Sequence, residues 1–225
     1  MCTLTRFLGL CSVFFVGTIF ATEPHSGYRV LGCDKGHIAI VGKDGKIEWE
    51  VPCKVTAHDL QLLPNGNLLM PVADAKIVEM TPEKKIVWEY ESKPKDGYKG
   101  KIEIHAFQRL ADGRTMISES GNGRIIEVDA DGKIVHELSL TRDKPSSHSD
   151  TRLVRKLDNG NYLVSHEADG KLREYDAKGN VVWSYNIELG DRPAAAGSRR
   201  RRTWDVGLLG GAPQERQHAD RRRQQ

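Results

Sequence analysis

His58-Asp-Leu-Gln-Leu-Leu-Pro-Asn-Gly66 decides the fold, because this stretch returns twice along the chain. The later copies are His105-Ala-Phe-Gln-Arg-Leu-Ala-Asp-Gly113 and Arg152-Leu-Val-Arg-Lys-Leu-Asp-Asn-Gly160, each 47 residues after the one before. Each copy is a short strand-like run that ends at Asn-Gly or Asp-Gly, a dipeptide typical of a tight turn between two strands. A strand-rich repeat of this length predicts a β-propeller with one four-stranded blade per repeat.

The repeats predict an all-β chain with about three and a half four-stranded blades. Complete blades are predicted over residues 58–90, 104–138 and 152–185, within a propeller region over residues 28–189. A partial blade over residues 28–52 has the pattern of the second, third and fourth strands only. Because propellers close with about four to eight blades, we expect an open ring whose exposed sheet edge favours self-association.

One position in the outermost strand of every blade is aromatic. Trp49, Trp88, His136 and Trp183 align there. An aromatic side chain at a fixed strand position predicts packing between blades, and a platform for stacking a ligand is the alternative.

The first 21 residues have the pattern of a secretory signal peptide. Arg6 precedes an almost continuous apolar run, and Ala21 is a small residue at the expected cleavage position. This predicts a secreted or periplasmic protein with no membrane span after cleavage; an uncleaved anchor is the alternative. Disulfides form in such compartments, so Cys33 and Cys53 are either bridged or two separate small core residues.

Residues 190–225 leave the repeat pattern and form a tail that we expect to be disordered. The tail has nine Arg and no Lys, whereas the rest of the chain has nine Arg and 16 Lys. One interpretation is a basic arm that binds an acidic partner. We favour another, an out-of-frame reading of a fifth blade. Read one base later, permitted codons for residues 214–225 can spell Arg-Asn-Gly-Asn-Thr-Leu-Ile-Ala-Gly-Gly-Asn-Asn, which resembles the hairpin at Asn65-Gly66-Asn67.

Charged and titratable residues begin the innermost strands, where a propeller binds ligands. His58, His105 and Arg152 occupy the same repeat position, Asp59 follows the first of them, and His148 precedes the last. Two imidazoles and a guanidinium are suited to a sulfate, phosphate or carboxylate, and a histidine can act as nucleophile or acid–base. The alternative is that these residues only bind water and backbone at a solvated channel mouth.

The sequence contains no recognisable motif for a metal or a nucleic acid. Cysteine pairs at ligand spacing and His-Glu-x-x-His are both absent. Without the tail the chain is mildly acidic, which argues against nucleic acid as a partner. We therefore predict no metal site.

The repeats resemble a known group of secreted propellers. The pattern His-Asp-x-x-x-Leu-Pro-Asn-Gly-Asn-x-Leu, followed by Ile-x-Glu-x-Asp-x-x-Gly-Lys-Ile-Val-Trp, is similar to PQQ-like (quinoprotein-like) repeats and to aryl sulfotransferase-like propellers. The sulfotransferase resemblance implies a funnel-mouth site in which one histidine carries the sulfuryl group, and His58, His105 and Arg152 match it by repeat position and residue type. Quinoproteins that bind PQQ need adjacent cysteines, which this chain lacks. No cofactor is predicted, and PQQ is connected with the chain only through the family label.

Together these features predict a secreted or periplasmic binding propeller without established catalysis. Its expected partner is a small anionic ligand or another protein. An aryl sulfotransferase-like enzyme and a relative of the PQQ-dependent oxidoreductases are the two alternatives.

Overall fold

The computed structural model describes residues 27–187, where every regular element is a β-strand. The strands are β1 Val30–Asp34, β2 His37–Val41, β3 Ile47–Pro52, β4 Gln61–Leu62, β5 Leu68–Ala73, β6 Lys76–Met80, β7 Ile86–Glu91, β8 Glu103–Arg109, β9 Thr115–Ser120, β10 Arg124–Val128, β11 Ile134–Ser139, β12 Leu153–Lys156, β13 Tyr162–His166, β14 Lys171–Tyr175 and β15 Val181–Asn186. Neighbouring strands pair antiparallel in four sheets, β1–β3, β4–β7, β8–β11 and β12–β15. The predicted all-β blades are therefore confirmed, with three strands in the first sheet and four in each of the others.

The repeated glycines close the hairpin between the first and second strands of each four-stranded sheet. Gly66, Gly113 and Gly160 have φ angles of +84°, +87° and +86°. Residues with a Cβ rarely adopt this left-handed conformation, so the turn selects glycine. The turn also fixes the strand register, which determines which side chains face the neighbouring sheet.

The innermost strands β4, β8 and β12 are joined by side chains that bind the next strand's backbone. The Gln61 Oε1 accepts from the Arg109 amide at 2.7 Å. At the equivalent repeat position, the Gln108 Oε1 accepts from the Lys156 amide at 2.9 Å. These bonds satisfy partly buried amides and join the three innermost strands near the ends of β8 and β12.

The core consists of three apolar clusters, one between each pair of successive sheets. Val78 lies in the first cluster, Phe107 in the second and Tyr162 in the third, and each is at most 1% exposed. Within the described residues no cluster joins the first sheet to the fourth, so the sheets form an arc whose ends are those two sheets.

The aromatic residues of the outermost strands join neighbouring sheets. The Trp88 Nε1 donates to the Ala130 carbonyl in the turn of the next sheet at 3.0 Å, and Trp49 makes the same bond to the β6–β7 turn at 2.9 Å. His136 stacks on Tyr162 of the following sheet with ring centroids 6.1 Å apart. Three of the four aligned aromatic positions thus make the predicted blade-to-blade contacts, whereas Trp183 in the fourth sheet is 46% exposed and stacks on Tyr185 of its own strand.

The two cysteines are free thiols, so the bridge that the sequence allowed is not formed in the structure. Both side chains lie in the cluster between the first and second sheets. The Cys53 Sγ donates to the Val55 carbonyl at 3.0 Å, and burial raises the pKa of this thiol. Here the cysteines are small core residues, which was the alternative interpretation.

Two predicted segments lie outside the described residues. These are the signal peptide over residues 1–21 and the arginine-rich tail over residues 190–225. Within residues 27–187, no helix could cross a membrane.

Candidate functional site

One end of the arc carries the beginnings of β4, β8 and β12. The turns between the second and third strands of each sheet lie there too, as do the long loops over residues 92–102 and 140–152. Backbone bonds hold the loops to these turns, because the Ser92 amide donates to the Ala75 carbonyl and the Leu140 amide to the Gly123 carbonyl, both at 2.8 Å. We call this end the mouth face.

Four of the residues predicted for the site meet at the mouth face. The rings of His58 and His105 are 4.7 Å apart between centroids, and those of His105 and His148 are 5.3 Å apart. The Arg152 Nη1 lies 3.1 Å from the His58 Nε2, and its Nη2 lies 3.4 Å from the His148 Nε2. We call His58, His105, His148 and Arg152 the mouth cluster.

The guanidinium of Arg152 is engaged on all sides within this cluster. Its Nε donates to the Glu167 Oε2 at 2.5 Å, and its Nη2 also pairs with that oxygen. Because an arginine has no acceptor, its neighbours His58 and His148 must receive hydrogen bonds on Nε2. An anion that binds Arg152 must therefore displace a histidine or Glu167.

Glu103 contacts the mouth cluster, and the sequence analysis did not identify it. Its Oε2 lies 2.9 Å from the His105 Nε2 and 2.6 Å from the His148 Nδ1, while Lys101 pairs with its Oε1 at 3.0 Å. Burial alone would raise the pKa of Glu103, but hydrogen bonds from His148 and Lys101 outweigh it and lower the pKa to about 2. The carboxylate is therefore ionised at neutral pH.

His105 lies at a β-bulge of β8. In the pairing of β8 with β9, Ile104 faces Glu119 and Ala106 faces Ser118, so His105 is the extra residue. Bulges re-aim side chains and often lie next to functional sites, and here the bulged residue contacts Glu103. Repeat alignment identifies position 105 but gives no signal for the bulge or for Glu103.

The two inner-strand histidines are poor proton acceptors. Removal from water, strengthened by the neighbouring His105 and Arg152, lowers the pKa of His58 to about 4. Burial also lowers the pKa of His105, although its bond to the Thr151 carbonyl acts in the opposite direction. At neutral pH both imidazoles are uncharged, so they can act as ligands or nucleophiles but add no positive charge.

Asp59 lies beside the mouth cluster but is bound to the protein itself. Its Oδ2 accepts from the Phe107 amide at 3.1 Å, and both oxygens are held by Arg155. The residue is 7% exposed. In the structure this carboxylate therefore joins inner strands, rather than facing open solvent as a ligand group would.

Three side chains at the mouth face are arranged as a cation site would be. The ligand atoms of Glu103, His105 and His148 all lie within 4.8 Å of one another. The sequence analysis predicted no metal because these residues do not form a spacing motif. Glu103 and His105 are two residues apart on β8, and His148 comes from the loop before β12.

Comparison with protein families gives a match over most of the chain. The model of the PQQ_2 family, described as outer membrane protein assembly factor BamB, matches residues 34–205. No curated protein matches the chain.

Three solved structures are similar to the chain. A protein of unknown function from Bacteroides caccae is 22% identical with a TM-score of 0.60, covering 70% of this chain and 57% of its own. The WD40 propeller domain of Doa1 is 15% identical with a TM-score of 0.51, covering 70% and 52%. BamB from Moraxella catarrhalis is 14% identical with a TM-score of 0.46, covering 66% and 46%. The chain thus spans about half the length of the structures it matches.

Proposed function

The chain belongs to the PQQ_2 family of β-propellers, described as outer membrane protein assembly factor BamB, and from this we propose that it recognises a protein partner in the cell envelope. The fold is that of a propeller-type binding protein. The partner docks on the mouth face through an acidic segment. Both long loops of that face are held in place by buried or partly buried polar side chains, and this order supports docking there.

The first mouth loop, residues 92–102, is held by Asn122 in the turn between β9 and β10. The Asn122 Oδ1 accepts from the Lys95 amide, and its Nδ2 donates to the Lys93 carbonyl, both at 3.0 Å. The same Nδ2 donates to the Glu119 Oε2 at 2.6 Å, which fixes the amide group itself. A loop ordered before binding loses less conformational freedom when a partner arrives, which favours recognition.

The second mouth loop, residues 140–152, is held in the same way by Asp169 in the turn between β13 and β14. Its carboxylate accepts from the Asp143 amide at 3.0 Å and from the Lys144 amide at 2.8 Å. Arg173, which is buried, pairs with the same carboxylate at 2.5 Å. Equivalent turns of neighbouring sheets therefore order both loops.

The charge of these loops points to an acidic partner. Lys93, Lys99 and Lys144 are exposed and take part in no ion pair within residues 27–187. Such free surface cations steer an oppositely charged partner and raise its rate of association. The mouth face thus presents positive charge on ordered loops around a polar centre.

The first experiment locates the partner. A photo-crosslinking amino acid is placed at Lys99 on the mouth face or, as the matched control, at Lys85 on the opposite end. The full chain is expressed in its native cells. We expect an envelope protein to be crosslinked from position 99 and not from position 85. Equal crosslinking from both ends, or crosslinks only to cytosolic proteins, contradicts the proposal.

The second experiment tests the charge. Replacing the three mouth lysines with glutamate should weaken binding of the identified partner, at low salt more than at high salt. The control carries three equivalent replacements in the turns at the opposite end. The two sets are Lys93, Lys99 and Lys144 against Lys85, Lys133 and Lys178. If the partner binds the variant with glutamate at the three mouth lysines as tightly as the wild type, it does not bind this face through acidic groups.

A second candidate function is sulfuryl transfer, favoured by the position of the uncharged His58 beside Arg152. In such a reaction the His58 Nε2 would attack the sulfur of an aryl sulfate, forming an N–S bond while the S–O bond breaks and a phenolate leaves. A phenol acceptor would then take the sulfuryl group and release the imidazole. Transfer from an aryl sulfate to a phenol that is lost in His58→Ala supports this candidate, and no transfer by the full chain eliminates it.

A further inference from the structure

We propose that Glu103, His105 and His148 form a Zn²⁺ site at the mouth face, with one coordination position left for water or for a carboxylate of a partner. The proposal does not depend on the partner described above. The Glu103 Oε2 is the centre of the group, at 2.9 Å from the His105 Nε2 and 2.6 Å from the His148 Nδ1. Two imidazoles and one carboxylate are a ligand set that zinc uses in sites with an open position.

The hydrogen bonds of His105 leave a lone pair where a cation is needed. Both neighbours of its ring can only accept, the Thr151 carbonyl at 2.9 Å from Nδ1 and the Glu103 Oε2 at 2.9 Å from Nε2. A neutral ring has one proton for these two acceptors, and with that proton on Nδ1 the Nε2 lone pair faces the Glu103 carboxylate oxygen. Two acceptors at this distance repel each other unless a cation lies between them, which is either a second proton or a metal ion.

His105 is 3% exposed, so its ring is held inside the protein where it faces the Glu103 carboxylate. A metal ion between the two groups would be bound by the Nε2 lone pair and by the Oε2 of Glu103.

The groups behind the ligands are arranged as in metal sites. A histidine that binds metal through one nitrogen commonly donates from the other to a backbone carbonyl, as His105 does to Thr151. Thr151 is itself fixed, since its Oγ1 lies 2.7 Å from the Ser118 Oγ in the buried interior. Lys101 binds the Glu103 Oε1 at 3.0 Å, which leaves Oε2 to face the histidines.

Binding requires one local change at His148. The three ligand atoms must move apart to about 3.3 Å to surround an ion with bonds of about 2.1 Å. The proton on the His148 Nδ1 must shift to Nε2, which gives up the 3.4 Å contact with the Arg152 Nη2. The His148 side chain is 60% exposed on a loop, so this ring can turn without disturbing the core.

The test uses the full chain prepared without a histidine tag and titrated with Zn²⁺ by calorimetry. We expect one ion per chain, and loss of a ligand in His148→Ala or Glu103→Gln should weaken binding by about 100-fold or more. A matched histidine control, His37→Ala on exposed β2, should retain the wild-type affinity. Mg²⁺ should bind much more weakly, because it prefers oxygen ligands.

A spectroscopic measurement distinguishes a metal ion bound by several protein ligands from one bound loosely at the surface. Co²⁺ in place of Zn²⁺ should give the visible bands of a four-coordinate ion, and these bands should disappear in His148→Ala. Circular dichroism establishes that each variant is folded. The proposal is overturned if the folded wild-type chain binds no zinc, or if His148→Ala binds it as the wild type does.

Discussion

Both oxygens of Asp59 are bound by Arg155, although the two residues are 96 positions apart. The Nη1–Oδ2 distance is 2.7 Å and the Nη2–Oδ1 distance is 2.8 Å. The pair connects the approach to β4 in the second sheet with β12 in the fourth, across the mouth of the arc. Asp59, which the sequence analysis predicted as a ligand residue, thus forms an ion pair between two sheets that are not consecutive in the chain.

Replacing Asp59 with alanine should lower the free energy of unfolding by about 1–3 kcal/mol, because it removes the buried partner of a two-point ion pair and an acceptor of the Phe107 amide. The Arg155 side chain is 40% exposed, which places the effect below that of a fully buried pair. Urea unfolding measures the free energy of unfolding of each variant. Arg155→Ala is the control and should lower the free energy of unfolding by less, since Asp59 keeps its hydrogen bond from the Phe107 amide. An Asp59→Ala protein as stable as the wild type would show that the residue is free for a ligand.

Trp88→Phe should lower the free energy of unfolding by about 0.5–1.5 kcal/mol, the net contribution of one hydrogen bond. The substitution keeps most of the apolar contact but removes the indole N–H that donates to Ala130, leaving that carbonyl without this donor. The matched control is Val87→Thr on the same strand, where the side chain is 56% exposed and little should change. Thermal unfolding of both variants gives the comparison. Equal stabilities would mean that the bond between sheets contributes nothing.

Acidification should destabilise the protein between about pH 6.5 and pH 4, and His166 is one cause. Burial lowers the pKa of this histidine to about 4 in the folded chain. In that pH range the unfolded chain binds a proton that the folded chain does not, so stability falls as pH falls. His166 is 1% exposed, and its Nδ1 lies 2.8 Å from the Asp150 carbonyl.

The measurement is the urea midpoint at about pH 7 and about pH 5 for the wild type and for His166→Gln. Glutamine keeps a donor for the carbonyl but does not titrate, so the variant should show a smaller drop. His37→Gln, at an exposed position, serves as the control and should behave as the wild type. A drop of the same size in His166→Gln would assign the acid sensitivity to other groups.

Gly121→Ala should destabilise the mouth face more than Gly113→Ala does. Both glycines have positive φ, +89° and +87°, so alanine costs about 1 kcal/mol of backbone strain at either position. At Gly121 the added Cβ would also overlap the Lys101 carbonyl, whereas at Gly113 nothing lies within 4 Å. Comparing the two unfolding midpoints isolates the contact. Equal losses would show that the first mouth loop moves aside without cost.

The strand order and the blades follow from the sequence because they depend on local patterns. Alternation of apolar residues and the Asn-Gly turns act within a few residues, so each repeat folds into one antiparallel sheet. The repeat also aligns His58, His105 and Arg152, and residues at equivalent positions of inner strands come together around one axis.

The chemistry at that axis depends on contacts that no local pattern encodes. The bulge at His105, and the pairing of Glu167 with Arg152, have no signature in the repeat. Asp59 has the residue type of a ligand group, yet the arc brings Arg155 within reach and makes it a structural one. The sequence by itself determined which segments become blades and which residues begin the inner strands. Only the tertiary structure decided which of those residues pair with one another, because pairing depends on distances between strands that are far apart in the chain and are set by how the sheets pack.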